Sequence, residues 1–224
     1  MSALEIVLIS VLGTLVLLVV LYYFLLTTNN QNRLQIFNVL NEDPVVDSIV
    51  FFGDSLTDFF PLQDFFPDQK IYNRGIAADT TKKLLKRIHN IIEIKPRKVF
   101  LQIGTNDLGK GIKVKKVVDN IIKICEILES EIPGVEVIVI SLYPVSHRVI
   151  WLSPIISGLR TNNKIREVNH LLKEKCQERG RKYLDIHQKL ITPKGRLKKE
   201  YTIEGLHISG LGYKIIAEEI RPHL

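Results

Sequence analysis

The chain has 224 residues, 46% of them hydrophobic and 25% charged; once an apolar N-terminal segment is set aside, the rest makes one domain of ordinary size with a sizeable core. It contains 31 Lys and Arg against 24 Asp and Glu, a formal net charge of +7. The basic residues come in scattered pairs (Lys82-Lys83, Lys115-Lys116, Lys198-Lys199) rather than one block, and no zinc-finger or RRM pattern accompanies them, which argues against nucleic acid as a partner.

Residues Ile6 to Leu26 carry no charge. As a helix this stretch is about 31 Å long at roughly 1.5 Å per residue, the thickness of a bilayer core. Tyr22, Tyr23 and Phe24 near its end suit an interfacial aromatic belt. A cleaved signal peptide is the competing reading, but no basic n-region precedes the run and no Ala-x-Ala follows it. The segment is therefore expected to be an uncleaved single-pass anchor over 1–27. Flanking charge says little on orientation: only Arg33 stands close by, and positive-inside counting on that one residue leans toward a cytoplasmic catalytic domain. A polar connector over 28–46 follows, with a short amphipathic stretch from Leu34 to Leu40.

From residue 47 to 224 short apolar runs alternate with helical patterns. Strands are expected at 47–53, 69–73, 97–103, 134–141 and 182–186, and helices near 78–92, 112–130, 159–179 and 211–221. Ile121, Ile122, Ile124, Cys125, Ile127 and Leu128 repeat at the i, i+3, i+4 spacing of a core-facing stripe. Asp79 and Thr80 read as a helix N-cap, and Gly180 as a helix stop. Alternation of strand and helix implies a parallel sheet with helices on both faces. The connection from Tyr143 to Gly158 is long, and its Val149-Ile150-Trp151-Leu152 run either covers a substrate or packs on the domain. Cys125 and Cys176 both lie in helical patterns and read as buried thiols, with a disulfide as the alternative; no spacing suggests a metal site.

Chemistry concentrates where the strands end. Phe51-Phe52-Gly53-Asp54-Ser55 is expected to run off a strand into a helix, which would expose the Ser55 hydroxyl and leave its N–H unpaired. Those are the needs of an acyl-transfer nucleophile, although Asp-Ser is also an ordinary N-cap. Three more segments follow: Ile71-Tyr72-Asn73-Arg74-Gly75, then Gly104-Thr105-Asn106-Asp107, and Glu204-Gly205-Leu206-His207. In open α/β folds the carboxyl edge of the sheet is where ligands bind. A serine, a glycine N–H, an asparagine amide and a histidine with a nearby carboxylate make up the inventory of a hydrolase. Gly104 to Gly111 nearly fits the phosphate loop GxxxxGK[ST], but Gly111 replaces the hydroxyl residue and Asp107 would put negative charge inside the cradle. No G-x-S-x-G elbow is present.

On these motifs the chain resembles the GDSL or SGNH hydrolases over roughly residues 46–224. The family's four marker residues fall on Ser55, Gly75, Asn106 and His207. Further matches are Thr57, Asn73, Asp107, Tyr143-Pro144, Asn162-Asn163 and Gly210-Leu211-Gly212-Tyr213. The resemblance implies a three-layer α/β/α, flavodoxin-like domain with a five-stranded parallel sheet. It implies a serine esterase, lipase or carbohydrate deacetylase, with no cofactor and no metal. Ser55 would be the nucleophile, His207 the base, and Glu204 its orienting acid where the family usually carries aspartate. Ser55, Gly75 and Asn106 would form the oxyanion hole, and Asp54 and Asp107 would brace their loops. Expected substrates are lipid esters or O-acetyl groups on a carbohydrate, and anchored relatives suggest an extracytoplasmic domain. The substitution at 204 leaves open a domain of the same fold that binds glycan or lipid without turnover.

Overall fold

The structure is a computed structural model describing residues 1–224. It divides into two compact units, Met1–Glu42 and Asp43–Leu224.

The first unit is one helix, α1 (Ala3–Asn41). It opens on a capping box in which Ser2 Oγ accepts from the Glu5 N–H and the Glu5 carboxylate accepts from the Ser2 N–H. It is the one helix in the chain long and apolar enough to cross a membrane. The helix does not stop where the uncharged run ends, but continues through Thr27–Asn32 and the Leu34–Leu40 stretch. No proline or glycine interrupts residues 14–43. Extending an established helix costs little per residue, so polarity alone does not end it.

The second unit contains β1 (Ile49–Gly53), α2 (Ser55–Asp58), α3 (Leu62–Phe65), β2 (Ile71–Gly75), α4 (Thr81–Lys86), α5 (His89–Ile92), β3 (Lys98–Gln102) and α6 (Thr105–Gly109). These are followed by α7 (Val114–Glu131), β4 (Glu136–Ile140), α8 (Ser153–Ser157), α9 (Asn162–Glu178), β5 (Lys182–Leu184), α10 (His187–Leu190) and α11 (Gly210–Ile220). The five strands form one parallel sheet in the order β2-β1-β3-β4-β5. Side chains alternate faces along each strand. Val50, Phe52, Val99, Leu101, Val137 and Val139 pack with the apolar stripes of α7 and α9. Ile49, Phe51, Phe100, Ile138 and Ile140 pack on the other face with Tyr213, Ile216, Ala217 and Ile220 of α11. The result is the three-layer α/β/α arrangement expected from the alternation of elements.

Four local features refine the sequence reading. The helix expected over 78–92 is two helices, broken at Arg87 (φ −111°, ψ 17°). There the buried guanidinium donates to Asp79 Oδ2, the Arg74 carbonyl and the Gly53 carbonyl. Thr80 is the N-cap residue of α4, but its side chain makes no capping bond; Asp107 accepts from the Thr81 N–H instead. Cys125 and Cys176 are free and buried, and burial pushes both thiols up. The Tyr143–Gly158 connection contains α8, with Trp151 standing 84% exposed just before it.

Candidate active site

β1 ends at Gly53, and the chain turns at once into α2. Asp54 is the N-cap: its Oδ1 accepts from the Leu56 N–H at 3.0 Å. This places Ser55 at the first helical position, where a backbone N–H has no partner inside the helix. Asp54 is fully buried, and its Oδ2 has no hydrogen-bond partner. Desolvation pushes its carboxyl up to about 7, partly offset by the Leu56 N–H and the positive charge of Arg160.

The segment before α11 carries His207, the expected base. His207 Nε2 lies 3.2 Å from Ser55 Oγ, and His207 Nδ1 lies 2.6 Å from Glu204 Oε1. The same carboxylate oxygen accepts from the His207 backbone N–H at 3.0 Å. A proton on Nδ1, donated to the carboxylate, leaves Nε2 as an acceptor facing the serine hydroxyl. The turn between the two residues is tightly held. The Thr202 hydroxyl donates to the His207 carbonyl and accepts from the Gly205 N–H, while the Ser146 N–H donates to the Gly205 carbonyl at 2.8 Å. Gly205 has φ +108°, and a Cβ there would fall on the Ser146 carbonyl oxygen, so the position needs glycine on both counts. Phe59, half exposed, lies against the imidazole with ring centroids 5.4 Å apart.

Gly75 ends β2, in register with Gly53. A Cβ at Gly75 would lie 2.6 Å from Asp58 Cα and 2.7 Å from the Thr57 carbonyl carbon, so glycine lets α2 close onto the strand. The Gly75 N–H donates to Asn73 Oδ1 at 3.0 Å. Asn73 Nδ2 in turn reaches the carbonyls of Thr57, Asp58 and Phe60, clamping the end of α2 to β2. The expected oxyanion donor at Gly75 is thus already engaged by a side chain that sequence reasoning matched without giving it a task.

Asn106 stands in the first turn of α6, off the end of β3. Its Nδ2 donates to the Asp79 carbonyl at 2.9 Å, and its Oδ1 accepts from Arg160 Nη2 at 2.7 Å. Asp107 accepts from both the N–H and the hydroxyl of Thr81, and Asn120 donates to that hydroxyl. Burial raises the Asp107 carboxyl, against the lowering effect of the Thr81 bonds. The structure therefore links Ser55, His207 and Glu204 in one hydrogen-bonded chain, lays Gly75 against the helix that Ser55 opens, and sets Asn106 on the neighbouring strand end. Arg160 was missed: nothing in its local sequence distinguishes it from a surface arginine.

A family model of GDSL-like lipases and acylhydrolases matches residues 51–215. The chain is 27% identical over 183 residues to an N-acylneuraminate cytidylyltransferase of Escherichia coli O18:K1:H7, an alignment covering 80% of this chain and 41% of that protein. It is 26% identical over 195 residues to a GDSL esterase/lipase of Oryza sativa, covering 76% of this chain and 75% of the relative. Among solved structures, a Streptococcus pneumoniae protein provisionally described as a platelet activating factor superposes with TM-score 0.83 at 29% identity, over 93% of this chain and 98% of the other. A GDSL-like lipase from Bacteroides thetaiotaomicron superposes with TM-score 0.74 at 22% identity, over 84% and 95% of the two chains. With the match running from β1 into α11, across all five strands and every residue of the site, this chain belongs to the GDSL-like lipase/acylhydrolase family, whose members hydrolyse esters.

Proposed function

We propose that this protein is a serine esterase that cleaves O-acyl esters through an acyl-enzyme, and that α1 anchors it in a membrane with the catalytic unit outside the cytoplasm. The hydrogen-bonded chain Ser55–His207–Glu204 carries the reading. Ser55 Oγ attacks the ester carbonyl as its proton passes to His207 Nε2, and Glu204 stabilises the imidazolium through Nδ1–H. The tetrahedral oxyanion is held by the Ser55 N–H and by the Asn106 amide hydrogen not committed to Asp79. The Gly75 N–H joins them by sharing its bond with Asn73. Such donors contribute on the order of 3 kcal/mol each in the transition state. Collapse expels the alcohol, which takes the proton from Nε2; water then enters by the same route and releases the acid. Glutamate in place of the usual aspartate is supported by its short contact to Nδ1 and by its second bond, to the His207 N–H, which together fix the longer side chain.

Exposed Phe59, Trp151, Ile155 and Ile203 all lie on connections that leave the carboxyl edge of the sheet. They favour an apolar acyl group over acetyl. The partial match to a protein named for a sugar acid keeps the carbohydrate ester as the second reading.

The test is covalent. A fluorophosphonate should label the wild-type protein on Ser55, and Ser55→Ala should lose both labelling and ester hydrolysis with its fold unchanged. Labelling of another residue in that variant overturns the assignment. With p-nitrophenyl esters of increasing length, kcat/KM rising from acetyl to octanoyl supports the lipid ester, and activity confined to acetyl supports the carbohydrate.

A further inference from the structure

We infer that Arg160 is a positioning residue for the oxyanion hole, acting through Asn106; the inference rests on the esterase reading above. Arg160 is 8% exposed and lies just before α9. Its Nη2 donates to Asn106 Oδ1 at 2.7 Å, its Nε to Thr105 Oγ1 at 3.2 Å, and its Nη1 to the carbonyls of Ser157 and Ile156 at 3.0 and 3.3 Å.

A side-chain amide can present either end to its surroundings, and only the NH2 end stabilises an oxyanion. Two contacts decide which end faces the site. A guanidinium has donors alone, so the atom facing Arg160 must be the amide oxygen. The Asp79 carbonyl has acceptors alone, so the atom facing it must be the amide nitrogen. Both demands are met by one orientation, and it leaves one Nδ2–H for the substrate. The charge adds a second effect. A cationic donor on Oδ1 draws electron density from the amide and strengthens the remaining N–H as a donor.

A separate feature shows that the position is built for this side chain. A Cβ at Gly109, the last residue of α6, would lie 2.5–2.7 Å from Arg160 Cζ and both terminal nitrogens. Glycine there makes room for the guanidinium. This accounts for the second glycine of the false phosphate loop, which the esterase mechanism leaves without a task.

The experiment is a kinetic cycle on the full chain: Arg160→Gln and Gly109→Ala, each in the wild-type and the Asn106→Ala background, with Ser55→Ala as reference. Thermal melts accompany every variant. In the wild-type background each change should lower kcat about 10–100-fold with KM within about threefold, because the amide meets charge only in the transition state. In the Asn106→Ala background neither should lower kcat by more than about threefold. Equal losses in both backgrounds, or a change in KM alone, overturn the inference. Gly109→Ala keeps the charge and displaces only a side chain, so it decides the matter should Arg160→Gln fail to fold. Undiminished hydrolysis by Ser55→Ala would instead remove the esterase reading beneath it, whatever Arg160 does.

Discussion

At Asp54 one carboxyl performs a helix cap while fully buried. Its Oδ1 has the Leu56 N–H, its Oδ2 has nothing, and burial holds its pKa at about 7 against an ordinary 3.8. Between those two values the unfolded chain has released this proton while the folded chain still binds it. Raising the pH through that window therefore favours unfolding, and above about 7 the contribution levels off. The penalty is on the order of 1–4 kcal/mol. Asp54→Asn keeps the capping oxygen and removes the titration. Its amide hydrogens meet the unpartnered Oδ2 position, a cost that does not vary with pH. The expected result is a variant whose stability in urea, relative to the wild type, improves steadily from pH 4.5 to pH 7.5 and then holds. A difference independent of pH would mean that Asp54 is ionised throughout. The cap that the sequence allowed at the Asp-Ser pair is made by Asp54, and it sets Ser55, the proposed nucleophile, at the next position.

At the scale of elements, the site depends on how closely α2 lies on β2. Gly75 carries that contact, and Asn73 fastens it with bonds to three carbonyls. Gly75→Ala cannot be absorbed by a rotamer change, because the atoms it meets are backbone. We expect a loss of about 1–3 kcal/mol in stability together with loss of fluorophosphonate labelling, as Ser55 moves away from His207. An alanine variant that keeps its melting temperature would show that α2 and β2 are less tightly apposed than the structure has them. How much of this was legible varies with the range of the contact. The strands and the α7 stripe follow from local apolar periodicity, and each observed strand lies within about two residues of its expected bounds. Ser55, His207 and Glu204 can be picked out in the sequence because the last two are three residues apart and the first stands two residues past a strand end. The break at Arg87, the capping of α4 by Asp107 and the hold of Arg160 on Asn106 cannot. Their partners lie up to 54 positions away and meet only once the sheet is assembled. A mid-helix arginine and an arginine before a helix look alike in sequence whether they face water or a buried carbonyl.

For the whole molecule, the division at Glu42 separates two kinds of surface. Residues 43–224 bury apolar side chains on both faces of the sheet, and every motif of the site lies beyond residue 50. α1 buries none of its apolar span within the protein: leucines and valines from Leu4 to Leu25 stand about half or more exposed around the whole helix. In water such a surface would be covered by aggregation; in a bilayer it is at home. A variant beginning at Asp43 should therefore fold, remain in the supernatant after ultracentrifugation, and hydrolyse a short, water-soluble ester with kcat/KM within about threefold of the full chain, since no part of the proposed triad or oxyanion hole is removed. The full chain should sediment with membranes, resist carbonate extraction and dissolve in detergent. A full chain recovered from the supernatant with its N-terminus intact would remove the anchor. A shortened chain that is soluble but inactive would instead mean that α1 contributes to the site. Because the two outcomes are read on different fractions, failure of one leaves the other standing.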